Sequence, residues 1–143
     1  MKKRLLLLLL LTSCRPQTQE PVARLLAKVW KAREVRESTT LVYAEGGTAN
    51  IKPGYVRFSL DLSNPPRAVL TDIDGKAITG TWTLSIDNKR LILSDLVPQP
   101  TGTVSIIEYD IRDEPTESEL HLERTAESRK TGNSLNEYRL IPK

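Results

Sequence analysis

The 143-residue chain holds one cysteine, one histidine, one methionine and one phenylalanine, and aromatic residues make up only 5% of it. Each scarcity removes a class of function. A single thiol cannot close an internal disulfide or supply a Cys-based metal centre. A single imidazole leaves no His-rich metal site, and the seven glycines form no phosphate-cradling loop. Catalytic triads are assembled in space rather than in sequence, but one His and 18 scattered acidic residues mark no acid–base pair. No apolar run approaches the about 20 residues that a membrane-spanning helix needs. The expectation is a protein that is not an enzyme and carries no cofactor and no metal.

The longest apolar run, Leu5 to Leu11, follows Lys2, Lys3 and Arg4. A basic segment and a short apolar segment together read as a signal peptide over residues 1–13, a targeting signal and not a span. Leu11-Thr12-Ser13-Cys14 resembles the bacterial lipobox: an aliphatic residue, two small residues and a Cys that becomes the new N-terminus. The resemblance implies a thioether diacylglycerol on Cys14, often with a further acyl chain on its amine. A buried methylene contributes about 0.8 kcal/mol, so one chain holds marginally and two or three hold stably. The membrane is thus an expected partner, through lipid on Cys14.

Cleavage also changes the charge. The whole chain carries 21 basic and 18 acidic residues, a formal +3, and three of the basic ones sit in the leader. The mature chain is balanced and shows no basic patterning for nucleic acid.

Residues 14–21, with Pro16 and Pro21 among polar residues, read as a lipidated tether. Residues 22–143 are one domain. Val22, Leu25, Leu26 and Val29 recur at i, i+3, i+4 and i+7, which predicts a short N-terminal helix. From Trp30 onward the period is two. Val56, Phe58, Leu60 and Leu62 alternate with polar neighbours until Asn64-Pro65-Pro66 ends the run. Asp74-Gly75 is a hairpin signal, and Trp82, Leu84 and Ile86 share the next face. Further runs fall at 90–96, 103–112, 117–124 and 135–141, the third of these against a helix-favouring composition. Thr40 to Tyr55 reads equally as a hairpin or a loop at a barrel mouth. The sum is an all-β, antiparallel meander of about eight strands.

Three segments carry a family resemblance: LLAKVWKAREV, DGKAITGTWTLSIDNKRLILSD and the closing NEYRLIP. Together they resemble the bacterial lipocalin-like lipoprotein domains, small relatives of the calycin barrels, over roughly Leu25 to Pro142. Where lipocalins carry Gly-x-Trp, this chain has Lys28-Val29-Trp30. The resemblance implies that an Arg of a late strand stacks on Trp30 and closes the barrel floor, with Arg139 and Arg124 as candidates. It also favours a small apolar ligand inside the barrel. Alternation puts Phe58, Trp82, Leu84 and Tyr109 on inward faces as candidate ligand-binding residues, although the same pattern suits a plain core.

Two weaker constellations have simpler readings. Glu119, His121 and Glu123 share a strand face, which reads as solvated rather than metal-binding. Asp72-Ile73-Asp74-Gly75 lacks the later ligands of a calcium loop and is accounted for by the hairpin. The leading expectation is a lipid-anchored, lipocalin-like protein that binds a small apolar ligand; the runner-up is a filled barrel that works through contact with an envelope protein. Arg15 differs from the Asp of inner-membrane retention signals, and residues 15–19 are not acidic, so the expected place is the periplasmic leaflet of a bacterial outer membrane.

Overall fold

The computed structural model describes residues 20–100 and 105–143. The signal peptide, Cys14 and most of the tether lie outside the described residues. A helix, α1 (Glu20–Leu26), leads into nine strands: β1 (Val29–Glu37), β2 (Thr40–Ala44), β3 (Ser59–Asn64), β4 (Arg67–Thr71), β5 (Ala77–Leu84), β6 (Arg90–Val97), β7 (Ile107–Ile111), β8 (Leu120–Arg124) and β9 (Asn136–Pro142).

Eight of these strands, β1 and β3 to β9, form a closed antiparallel meander barrel, because β1 pairs with β9 as well as with β3. Closure leaves those strands no open edge. β2 is a ninth strand, folded back on the second half of β1 beyond the stretch that pairs with β3. Its outer side is occupied by the following segment: the Lys52 N–H donates to the Val42 carbonyl at 2.9 Å, and the Asn50 amide bonds both backbone groups of Ala44. Thr40 to Tyr55 is therefore a hairpin followed by an ordered turn.

Alternation sets the interior. Trp30, Ala32 and Val35 of β1, Leu60 and Leu62 of β3, Leu91, Leu93 and Leu96 of β6, and Leu120 and Leu122 of β8 are all buried. Among the described residues the buried core runs from Leu26 to Leu140.

Three apolar residues depart from the expected pattern, each for a local reason. Val29 belongs to β1 and not to the helix, which stops at Leu26; the Leu26 carbonyl accepts from the Lys28 N–H at 2.7 Å and from the Trp30 indole N–H at 3.0 Å. Val56 is 70% exposed, because Pro53–Arg57 forms a 3-10 turn whose period of three puts Tyr55 and Phe58 inward instead. Ile86 is 94% exposed, because β5 ends at Leu84 and Ser85 to Asn88 turn the chain.

Gly80 marks a close approach between β5 and β6. Their register shifts between Thr79 and Thr81, and Asp95 opposite has a positive φ of 53°. A Cβ on Gly80 would stand 2.3 Å from the Ser94 carbonyl oxygen and 2.9 Å from Leu96 Cδ2. The Ser94 contact is with backbone, so no side-chain rotation relieves it. Gly46 has an unusual φ of +73° but nothing within 4 Å. Gly80→Ala is expected to cost about 3 kcal/mol and Gly46→Ala about 1 kcal/mol, read from urea unfolding of residues 15–143. Equal costs would contradict the close-approach account.

The turns share one electrostatic property. Asp61 accepts from the Ser63 hydroxyl and N–H, Asp74 from the Lys76 N–H, and Asp87 from the Ser85 hydroxyl and the Lys89 N–H. These bonds hold all three carboxyls below their ordinary range. A carboxyl lowered in the folded state binds protons better when unfolded. Its contribution is complete above the unfolded value near 4 and is lost as pH falls through the folded one. The melting temperature is expected to hold from pH 7 to about pH 5 and to fall below about pH 4. The Asp74→Asn, Asp87→Asn double variant should lose part of that acid dependence; an unchanged profile would remove these turns from the account.

Candidate functional site

Antiparallel strands place successive connections at alternate ends of the barrel, and the two ends differ. At the end where α1 enters, Leu26 and Trp30 are wholly buried. Lys28 lies over the Trp30 ring, with Nζ 5.3 Å from the ring centre, and is itself held by Glu117 at 2.9 Å. Val22, Ala23 and Leu25 of α1 pack on the core from outside. This end is closed. Across the middle runs a layer of aromatic rings: Phe58 stacks on Tyr138 at 4.8 Å, and the edges of Tyr109 and Tyr55 meet Tyr138 at 6.0 and 6.4 Å.

The other end carries the β4–β5, β6–β7 and β8–β9 connections, and between them lies a cavity of about 330 Å³. Its apolar wall is Ile78, Pro100, Ile106 and Ile107; its other wall is the segment from Arg124 to Lys130. That segment is tied down by a polar network. The Ser134 hydroxyl donates to Asn136 Oδ1 at 2.5 Å, the Asn136 amide donates to Thr131 Oγ1 at 3.1 Å and to the Tyr138 hydroxyl at 3.3 Å, and the Ser128 N–H bonds the Ser134 carbonyl. Asn136 is 1% exposed, so its amide depends on these partners.

Charges around the cavity are mostly paired. Lys130 sits 3.1 Å from both Asp72 and Asp74; burial pulls its pKa down, but the two carboxylates outweigh burial and raise it. Glu108 is paired with Arg90 at 3.2 Å. Glu127 and Arg129 are exposed on the rim. Among the described residues, Arg124 is the unpaired charge that turns inward. It follows Leu120 and Leu122 onto the inward face, lies opposite Tyr109 in the ladder, and its Nε is buried without a hydrogen-bond partner among the described residues. Burial drives the Tyr109 and Tyr138 phenols far above their ordinary range, and the Arg124 charge acts on both in the opposite sense. An unpaired buried donor costs about 1–3 kcal/mol.

The structure brings Phe58 and Tyr109 together through Tyr138, but in the packed core beneath the cavity. Trp82 is buried lower on β5, its Nε1 without a partner among the described residues, and Leu84 is half-buried at the strand end. None of these four candidate ligand-binding residues borders the cavity. Inward alternation selects core and cavity lining alike, and the lining falls at the other end. Arg139 does not reach Trp30. It alternates with buried Tyr138 and Leu140, so it points outward, where it bonds Glu119 at 3.2 Å. The cation over Trp30 is Lys28, two residues away in sequence, and Arg124 is at the opposite end.

The face of Glu119, His121 and Glu123 is paired rather than merely solvated. His121 is 8% exposed, with Nδ1 2.5 Å from Asp113 and Nε2 2.6 Å from Glu137. The hydrogen bond with His121 holds the Asp113 carboxyl below its ordinary range. Glu119 takes Arg33 and Arg139, and Glu123 lies 3.8 Å from Arg112. No group of three or more His, Cys, Asp or Glu suited to a metal occurs among the described residues. Sequence reading passed over Ile78, Ile106, Ile107 and Lys130 as lining. The one usable signal was Arg124, a cation in phase with two inward leucines.

No family model and no curated protein matches the sequence. Among solved structures the chain is similar to a lipocalin-like protein from Bacteroides uniformis ATCC 8492, at 14% identity, over 83% of this chain and 99% of that one, with a TM-score of 0.49. It is also similar to an uncharacterized protein from Bacteroides eggerthii DSM 20697, at 10% identity, over 82% and 98% of the two chains, with a TM-score of 0.48. By its own strand order, a closed eight-stranded antiparallel meander behind a short N-terminal helix, the chain has a lipocalin-like barrel fold.

Proposed function

We propose that this protein is a lipid-anchored binding protein that takes one small molecule with an apolar body into the open end of its barrel. The observation that carries the reading is the cavity of about 330 Å³, walled on one side by Ile78, Pro100, Ile106 and Ile107 and on the other by the segment from Arg124 to Lys130. Ligand pockets start at about 300 Å³ and are lined mainly by apolar side chains with few polar groups. Eight-stranded barrels either fill their interior or hold one small ligand; here the aromatic layer fills the middle and the space is left above it. The role is binding rather than catalysis. In support, the histidine is on the outer face between two carboxylates, away from the cavity.

Anchoring belongs to the same proposal. Lipid on Cys14 would attach the chain just before α1, at the closed end, so the cavity mouth opens at the far end from the attachment. The place that fits residues 15–19 is the periplasmic leaflet of a bacterial outer membrane. No helix among the described residues is long and apolar enough to cross a membrane. The runner-up, a protein that works by contact with an envelope partner, draws on the exposed Val97 and Ile106 near the mouth.

Native mass spectrometry of residues 15–143 purified from the source cell is expected to show a one-to-one adduct that disappears on denaturation. A clean apo mass, even after incubation with envelope lipid extract, would turn the reading to the contact protein. Cys14→Ala in the full chain is expected to abolish labelling by radioactive palmitate and to release the protein from the membrane fraction. Retained label would refute the anchor.

A further inference from the structure

We infer that the cavity selects an anionic ligand, a small amphiphile whose acidic head is bound by Arg124 and whose apolar body lies on Ile78, Ile106 and Ile107. The inference rests on the binding reading above and names the chemistry of the ligand.

The argument is one of charge and position. Arg124 is carried inward by the same alternation that buries Leu120 and Leu122, at the level where the packed core gives way to the cavity. Arg124 is half-buried there, with its Nε shut off from water. Its Nε has no partner among the described residues, and the carboxylates that line the cavity are engaged elsewhere or lie on the rim: Asp72 with Lys130, Glu108 with Arg90, Glu127 exposed. A cationic, planar, multi-donor group that is permanently charged and lacks an internal carboxylate is complementary to an oxyanion. The Asp72–Lys130–Asp74 cluster neutralises Lys130, and Arg129 is exposed on the rim. Arg124 is thus the charge that a head group meets inside the barrel. The apolar lining gives the rest of the ligand its surface, so a simple inorganic anion would leave the isoleucines uncovered. The Arg124–Lys130 wall is held by the Ser128, Thr131, Ser134 and Asn136 network, so the geometry is set before the ligand arrives.

The test compares decanoate, decanol and decylammonium, each below its micelle concentration, by calorimetric titration of residues 15–143. Decanoate is expected to bind one-to-one and about ten- to a hundredfold tighter than decanol, the range for a charge-assisted hydrogen bond. Decylammonium should bind most weakly. Arg124→Met, which keeps the unbranched stem and removes the charge, should abolish the preference, so that decanoate and decanol bind equally to the variant. Equal binding of decanoate and decanol by the unaltered protein would overturn the anion inference and leave the cavity reading standing; this comparison does not depend on any variant folding. A preference for decanoate that survives in Arg124→Met would remove Arg124 from the site. Failure of all three probes to bind would count against the cavity reading itself.

Discussion

β1 hydrogen-bonds to three strands, and the barrel exists because it does. Its first residues pair with β3, its last residues with β2, and its other edge with β9 from Trp30 opposite Pro142 to Glu37 opposite Asn136. Without the β9 pairing the sheet would be an open meander with two exposed edges, and the inward faces would have nothing to enclose. Closure turns a sequence alternation into an inside and an outside. It makes Trp30 a buried residue, and it leaves Arg139, one position out of phase with its strand's buried residues, on the surface beside Glu119.

Filling is uneven along the axis, and side-chain size is the reason. The end where α1 enters is plugged by Leu26 and by Trp30, whose indole also caps the helix. The middle is spanned by rings packed edge to face around Tyr138, an arrangement favoured by the ring quadrupoles. Beyond them the inward positions pass to isoleucines, a serine and an arginine, which cannot bridge the same width. The space that results is walled by strand ends and by the connections between them. Connections are also where buried polar networks are needed, because the loop backbone has no ladder to satisfy it; Asn136 and Ser134 supply that need beside the cavity.

The outer face follows a different logic. His121, Asp113 and Glu137 form one chain of contacts, and Arg33, Glu119 and Arg139 another. The half-exposed pairs of Arg33, Glu119 and Arg139 contribute little each. The value of both chains of contacts is local: they fix β8 against β9 and against the connection before it, and so orient the strand that carries Arg124 on its other face.

The residue pattern by itself determined the fold class, the short helix, the Asp74-Gly75 hairpin and the placing of prolines outside strand interiors, because alternation, turn chemistry and the missing proline N–H act over a few residues. Within Thr116 to Lys130, which was read as strand, Leu120–Arg124 was legible for the same reason, its leucines being two apart in spite of a helix-favouring composition, whereas Thr125 to Lys130 is a connection. Parity was misread at Val56 and Ile86, where a 3-10 turn and a tight hairpin reset the phase. Tertiary structure alone decided which inward residues border empty space. Phe58, Trp82 and Tyr109 are inward, and so are Ile78, Ile107 and Arg124, yet only the latter three line the cavity. Alternation records the face on which a residue stands and not its height along a tilted, staggered barrel. That height follows from the register of every strand before it, and register is fixed only when the sheet closes.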